Sequence, residues 1–66
     1  MKFSEKLIYV RAKLNLTQSE LAERLKVSFP TISRWENDKV EPTKKAMMVF
    51  KQFCKENNID FDTGDN

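Results

Sequence analysis

Residue types that carry catalytic or metal chemistry are scarce in this chain of 66 residues. It has no histidine, a single cysteine (Cys54), one glycine and two prolines. Without histidine and with one thiol, a Cys/His zinc site and a Ser-His or Cys-His nucleophile are excluded. We therefore expect no enzyme activity, no metal and no cofactor, and we expect Cys54 to be a small buried hydrophobe in a reducing compartment.

Long apolar runs are also missing. No stretch approaches the roughly 20 apolar residues that a membrane-spanning helix needs, and residues 1–6 open a charged helix rather than a signal peptide. We expect a cytoplasmic protein with no membrane partner and no small-molecule ligand. Because glycine and proline are rare, helices joined by short links are favoured over a many-stranded sheet.

The charge is moderately basic and unevenly distributed. The net charge is +2, but residues 1–59 hold all twelve Lys and Arg side chains and only seven of the ten acidic ones. This balance permits nucleic-acid binding without requiring it. The composition predicts one folded domain over residues 1–59 and a polar tail, or the start of a linker, over residues 60–66.

Four segments carry the start signal of a helix, a Ser or Thr cap with an apolar residue or Pro before it. The predicted caps are Ser4, Thr17, Ser28 and Thr43, and the helices are expected to end near Leu14, Leu25, Asn37 and Glu56. Phe3 is expected to pack against Ile8 as a hydrophobic staple, and Glu20 to complete a capping box with Thr17.

Apolar residues recur at steps of three and four in each segment. The predicted core consists of Leu7, Val10, Leu14, Leu21, Ala22, Leu25, Ile32, Trp35, Met47, Phe50 and Cys54, with Val49 and Phe53 beside them. This spacing predicts a compact all-α bundle of four helices. Only Lys26 and Val27 link the second helix to the third, so the two must cross steeply and leave the start of the third projecting. That arrangement is a helix-turn-helix.

The chain resembles the lambda-repressor-like (Cro/C1-type, xenobiotic-response-element) helix-turn-helix family over residues 3–55. The matching residues are Leu16 to Leu25, Val27, Ser28, Thr31 to Asn37, Lys39 and Pro42. The resemblance implies a nucleoid-associated, repressor-like regulator that binds duplex DNA sequence-specifically, as a homodimer on a pseudo-palindromic site. The chain departs from the family at Lys26 and Asp38, where the family usually has glycine, so Lys26 is expected to be slightly strained. The family often has a fifth helix, which the resemblance leaves open for this chain.

The third predicted helix, residues 28–37, is the one that the resemblance places in the major groove. Its predicted base contacts are Phe29, Pro30, Thr31, Ser33 and Arg34. We hypothesise that Phe29, Pro30 and Thr31 contact thymine methyl groups and that Arg34 binds guanine O6 and N7. Alternatively, Phe29 folds back on the core or marks a protein contact, and Arg34 contacts a phosphate or is only solvated.

Phosphate contacts are predicted at Gln18, Asn37, Lys39, Lys44 and Lys45. Gln18 lies in a first helical turn, where free N–H groups suit an anion, and the resemblance points to Asn37 and Lys39. Two lysines in a first turn oppose the helix dipole, which a nearby phosphate would compensate. The alternative is that Lys44 and Lys45 are merely tolerated at the surface.

Two further residues are interpreted as structural. The resemblance implies that Arg11 and Glu36 form a buried salt bridge between the first helix and the end of the third, and Trp35 is expected in the core. Two other functions remain open. The domain could be an antitoxin-like or protein-interaction module that docks a partner through Phe29 and Pro30, or the DNA-targeting arm of a larger enzyme.

Overall fold

The computed structural model describes residues 1–61 and contains four α-helices and no strand in that range. They are α1 (Phe3–Leu14), α2 (Gln18–Leu25), α3 (Phe29–Glu36) and α4 (Lys44–Glu56). The predicted all-α architecture is confirmed. Helix α3 packs against both α1 and α2, and α4 packs against α2. None of these helices is long and apolar enough to cross a membrane.

Side-chain caps begin three of the four helices, as predicted. Thr17 Oγ1 accepts the N–H of Glu20 at 3.0 Å, and Glu20 Oε1 accepts the N–H of Thr17 at 2.8 Å. Ser28 and Thr43 cap α3 and α4 through their hydroxyl groups. A cap of this kind contributes about 1 kcal/mol, so the sequence sets where these helices begin.

The start of α1 differs from the prediction. The helix begins at Phe3, and its cap position is Lys2, whose N–H donates to Glu5 Oε1 at 2.9 Å. Ser4, the predicted cap, is buried inside the first turn, and Ile8, the predicted partner of Phe3, is 47% exposed. The predictions of a Ser4 cap and of a staple between Phe3 and Ile8 were therefore both wrong.

Phe3 packs into the core instead. Its ring meets the ring of Trp35 edge-on with centroids 5.3 Å apart, and the ring of Phe50 in the same way at 5.1 Å. An aromatic ring gains more by burial between two other rings than by covering an exposed isoleucine. This tertiary gain overrides the local cap and staple signals.

One apolar core runs through all four helices. The buried members are Leu7, Val10, Leu21, Ala22, Leu25, Ile32, Trp35, Phe50, Phe53, Cys54 and Ile59. Of the residues predicted for the core, Leu14 and Met47 are partly buried, and the prediction for Val49 was wrong, because it is 38% exposed. Val49 lies at the margin of the inward face of α4, beside a groove that is also lined by Lys45. The apolar spacing identified the inward face of each helix correctly apart from this edge.

Packing continues to the end of the described residues. The Phe61 ring lies 6.3 Å from that of Phe50 in a stacked arrangement, and 5.5 Å from that of Tyr9 edge-on. Part of the stretch assigned to the tail therefore contacts the core, while residues 62–66 lie outside the described residues. The boundary at residue 59 stays a prediction.

The turn between α2 and α3 is closed by a left-handed residue. Lys26 has φ 61°, and its N–H donates to Glu23 O at 3.2 Å, while the N–H of Val27 donates to Ala22 O at 3.0 Å. Asp38, the other residue in a family glycine position, has φ 58°. Because the helical hydrogen bonds end at Lys26, α2 and α3 are separate helices rather than one rod.

Candidate nucleic-acid interface

The first residues of α3 are exposed. Phe29 is 49% exposed, Pro30 is exposed beside it, and the Phe29 ring does not join the core of residues 1–61. Ser28 positions these two residues by capping the helix just before them. Pro fits here because the N–H groups of a first turn have no partner within the helix. The α3 tip, as we call residues 28–31, thus presents apolar surface to the exterior.

The hydroxyl groups of the α3 tip bond to one another. Ser28 Oγ and Thr31 Oγ1 are 2.8 Å apart, and Ser28 Oγ also accepts the N–H of Thr31 at 3.3 Å. The predicted base contact at Thr31 therefore involves a residue whose hydroxyl and N–H already have partners. The sequence did not indicate this bond, although a hydroxyl three residues after a Ser cap lies within its reach.

An open notch joins the starts of α2 and α3. Its lining comprises Phe29, Gln18, Ser19, Arg11 and residues 15–17 of the loop between α1 and α2. The N-terminal ends of both helices therefore open on the same side of the molecule. Ser19 and the loop residue Asn15 were missed by the sequence analysis, although Ser19 lies in the same first turn as Gln18.

Arg11 and Glu36 form the predicted ion pair between α1 and the end of α3. Arg11 Nε donates to Glu36 Oε2 at 2.8 Å and Arg11 Nη2 donates to Glu36 Oε1 at 3.0 Å, while Nη1 donates to Leu16 O at 3.3 Å. The Glu36 side chain is only 7% exposed. The hydrogen bonds to Glu36 raise the pKa of Arg11, burial lowers it, and the negative charge of Glu36 raises it further.

Gln18 is tied to the same carboxylate. Its Nε2 donates to Glu36 Oε1 at 2.8 Å, a contact that the sequence analysis did not foresee. An amide nitrogen carries two hydrogens, so one remains for another acceptor. Gln18 therefore lines the notch, and its side chain is positioned by the hydrogen bond to Glu36.

Four predicted DNA-contacting cations are unpaired within residues 1–61. Arg34, Lys39, Lys44 and Lys45 are all exposed, and the ion pairs of this part of the chain are Arg11–Glu36 and Lys2–Asp38. Lys45 lines a separate groove together with Lys26 and Thr43, so the structure does not bring it to the notch.

The two remaining predicted site residues lie at the other end of α3. Asn37 ends the helix, and its Nδ2 donates to Ser33 O at 2.8 Å. Ser33 is partly buried. One amide hydrogen of Asn37 is thus engaged in the helix end, and Ser33 is less accessible than Arg34.

The sequence of this chain matches a family profile and one characterised protein. The sequence profile of the helix-turn-helix family matches residues 7–48. The chain is also 43% identical over 53 residues to a protein named HTH-type transcriptional activator BcrR from Enterococcus faecalis, a match that covers 80% of this chain and 26% of that protein. The chain thus spans about a quarter of the length of this relative. No solved structure matches this chain significantly.

Proposed function

This chain belongs to the Cro/C1-type helix-turn-helix family, and from that premise we propose that it binds duplex DNA sequence-specifically and thereby regulates transcription. In this proposal α3 enters the major groove with its N-terminal turn against the base edges. The B-DNA major groove is about 12 Å wide and admits one α-helix. The relative in Enterococcus faecalis is named a transcriptional activator, which supports a regulatory role without fixing its direction.

One observation carries the proposal: the starts of α2 and α3 open on one side, around an exposed α3 tip. A helix that reads bases needs a projecting N-terminal turn, and its neighbour needs free N–H groups at the backbone. The notch lined by Gln18, Ser19 and Phe29 supplies both in one place. An α3 tip folded into the core could not have served this purpose.

Individual residues then take separate roles. Arg34 donates two hydrogen bonds, to O6 and N7 of one guanine. The neighbouring base edges are contacted by Phe29, Pro30, Thr31 and Ser33. Gln18, Asn37, Lys39, Lys44 and Lys45 contact the phosphates. Base contacts determine sequence preference, and phosphate contacts determine orientation and the dependence on salt.

Selection of bound duplexes from a random pool, followed by titration at several salt concentrations, tests the proposal. We expect one enriched half-site and a linear fall of log affinity with log salt, because bound cations release counterions from the DNA. Equal, weak binding to every duplex at moderate salt would contradict it. If the protein acts as a homodimer, the selected sites will be pseudo-palindromic, with half-sites about 10 base pairs apart or a multiple of that.

The exposed Phe29 beside Pro30 also favours a second candidate, a protein-interaction or antitoxin-like module. Aromatic side chains are enriched in protein interfaces, and Phe29 is the large apolar side chain exposed at the α3 tip. Arg34→Ala separates the two functions. It abolishes sequence-specific DNA binding in the first case and leaves partner binding nearly unchanged in the second.

A further inference from the structure

We infer that the α3 tip recognises the C5-methyl group of a pyrimidine, so that 5-methylcytosine can replace thymine at that position of the bound site. The inference rests on the proposed function, since it concerns the same surface and the same duplex. It adds the chemical class of the feature that is read, and with it a sensitivity to DNA methylation.

The first support is the apolar chemistry of the residues that lead α3. Phe29 and Pro30 occupy the first two helical positions, and both are exposed. An aromatic side chain left 49% exposed loses unfavourable contact with water only when something apolar covers it. In the major groove the methyl group at C5 is the apolar feature that a base edge offers.

The second support is the scarcity of hydrogen-bonding groups at the tip. Pro30 has no N–H, and the N–H of Thr31 is bonded to Ser28 Oγ. The hydroxyls of Ser28 and Thr31 are bonded to each other. One of the two hydroxyl hydrogens of this pair is still able to donate, so this end of α3 keeps few groups for reading the N4 or O4 position that otherwise separates cytosine from thymine.

A surface that reads only the methyl group makes a specific prediction about pyrimidines. Thymine and 5-methylcytosine carry the group, whereas uracil and cytosine lack it. Burial of one methyl group corresponds to about a fourfold change in affinity, from about 0.8 kcal/mol per buried carbon. Methylation of cytosine at this position therefore strengthens binding by about the same factor as replacing uracil with thymine.

The test uses the full chain and the duplex selected above. At each pyrimidine of the half-site, thymine is compared with uracil, and cytosine with 5-methylcytosine, by fluorescence anisotropy. These two pairs differ by the methyl group alone. We expect at least one position where both pairs show the same loss of about fourfold without the methyl group.

Three variants test whether the effect depends on Phe29. Phe29→Ala removes the methyl preference, while Ile8→Ala keeps it, because Ile8 has a similar exposure of 47% but lies on α1. Phe29→Leu retains part of the preference because it retains apolar contact. Thermal melts of all three variants establish that each is folded.

Three results would overturn the inference. They are equal binding of uracil and thymine at every position, the absence of any position where the two pairs show the same loss, and a methyl preference that survives in Phe29→Ala. In each of these cases the selected duplex is still bound, so the proposed function stands. If no duplex is selected from the pool, the proposed function fails and the methyl inference fails with it.

Discussion

Gln18 and Glu36 are joined by a hydrogen bond of 2.8 Å between side chains 18 residues apart. Glu36 also accepts two hydrogen bonds from Arg11. One carboxylate at the end of α3 thereby connects the last turn of α1 to the first turn of α2. The contact keeps the Gln18 amide beside the notch. The geometry of the candidate interface therefore depends on the Arg11–Glu36 ion pair, in which the Glu36 side chain is only 7% exposed.

Replacement of Arg11 by methionine is expected to destabilise the fold by about 3 kcal/mol. The change keeps much of the side-chain length but leaves the Glu36 carboxylate buried and without its cation, which is costly. Urea unfolding measures the loss. Lys2→Met serves as the control, because its ion pair with Asp38 joins side chains that are 70% and 52% exposed and contributes less than about 1 kcal/mol. Equal effects of the two substitutions would contradict this account.

Replacement of Lys26 by glycine is expected to stabilise the protein. Lys26 has φ 61°, a conformation that costs a residue with a Cβ about 1 kcal/mol and costs glycine little. For a domain of this size that gain raises Tm by about 4–8 °C. Asn15, with φ 57°, is the matched position: Asn tolerates the left-handed region, so Asn15→Gly should raise Tm less. A lower Tm for Lys26→Gly would refute the assignment of strain.

Truncation of Phe3 to alanine is expected to cost about 3 kcal/mol. The ring is partly buried and contacts both Trp35 and Phe50, so its removal loses apolar burial and leaves a gap between these two rings. Ile8→Ala, on the exposed side of the same helix, should change stability by less than about 0.5 kcal/mol. Thermal or urea unfolding of the two variants decides whether Phe3 belongs to the core or to a local staple.

Substitution of Arg34 by lysine is expected to relax sequence preference while it preserves binding. The charge remains, but the planar fork that pairs with guanine O6 and N7 is lost, which removes about 1–3 kcal/mol of discrimination. Competition between the selected duplex and one with the guanine replaced measures this. Lys44→Gln should instead weaken binding to all duplexes alike and reduce the salt slope by about one. A uniform loss in Arg34→Lys would assign Arg34 to the phosphates.

The thiol of Cys54 is expected to react slowly in the folded protein. Burial raises the pKa of Cys54 to about 11 from an ordinary value of 9.0, although the charge of Lys6 opposes the shift. Because the folded pKa is the higher one, this group stabilises the fold fully below pH 9 and loses that contribution as pH rises from about 9 to about 11. A disulfide reagent at pH 8 measures the reactivity, which should rise sharply on unfolding in urea; rapid labelling of the native protein would show that the thiol is accessible.

The sequence was sufficient for the parts of the fold that local chemistry determines. The caps at Thr17, Ser28 and Thr43 are confirmed because each depends on a side chain that reaches only three residues along the chain. The left-handed turn at Lys26 was expected only from the resemblance, because the family usually has glycine at that position. The exposure of Phe29 was left open, because only the packed structure shows which way an apolar residue at a helix start faces.

Contacts between distant residues were harder to predict. Phe3 was assigned to Ile8 because a staple is the nearest partner along the chain, whereas its actual partner Trp35 lies 32 positions away. The bond from Gln18 to Glu36 was missed for the same reason. The Arg11–Glu36 pair was expected only because the chain resembles a family that has it.

The hydrogen bonds from Arg11 and Gln18 to Glu36 also have a thermodynamic consequence for binding. Arg11 and Gln18 connect α1 and α2 to Glu36 at the end of α3 by hydrogen bonds. We therefore expect the candidate interface to be preorganised, with no folding coupled to binding. Association should then lose little conformational entropy and show a small heat-capacity change for its contact area, unlike proteins whose recognition segments become ordered on the DNA.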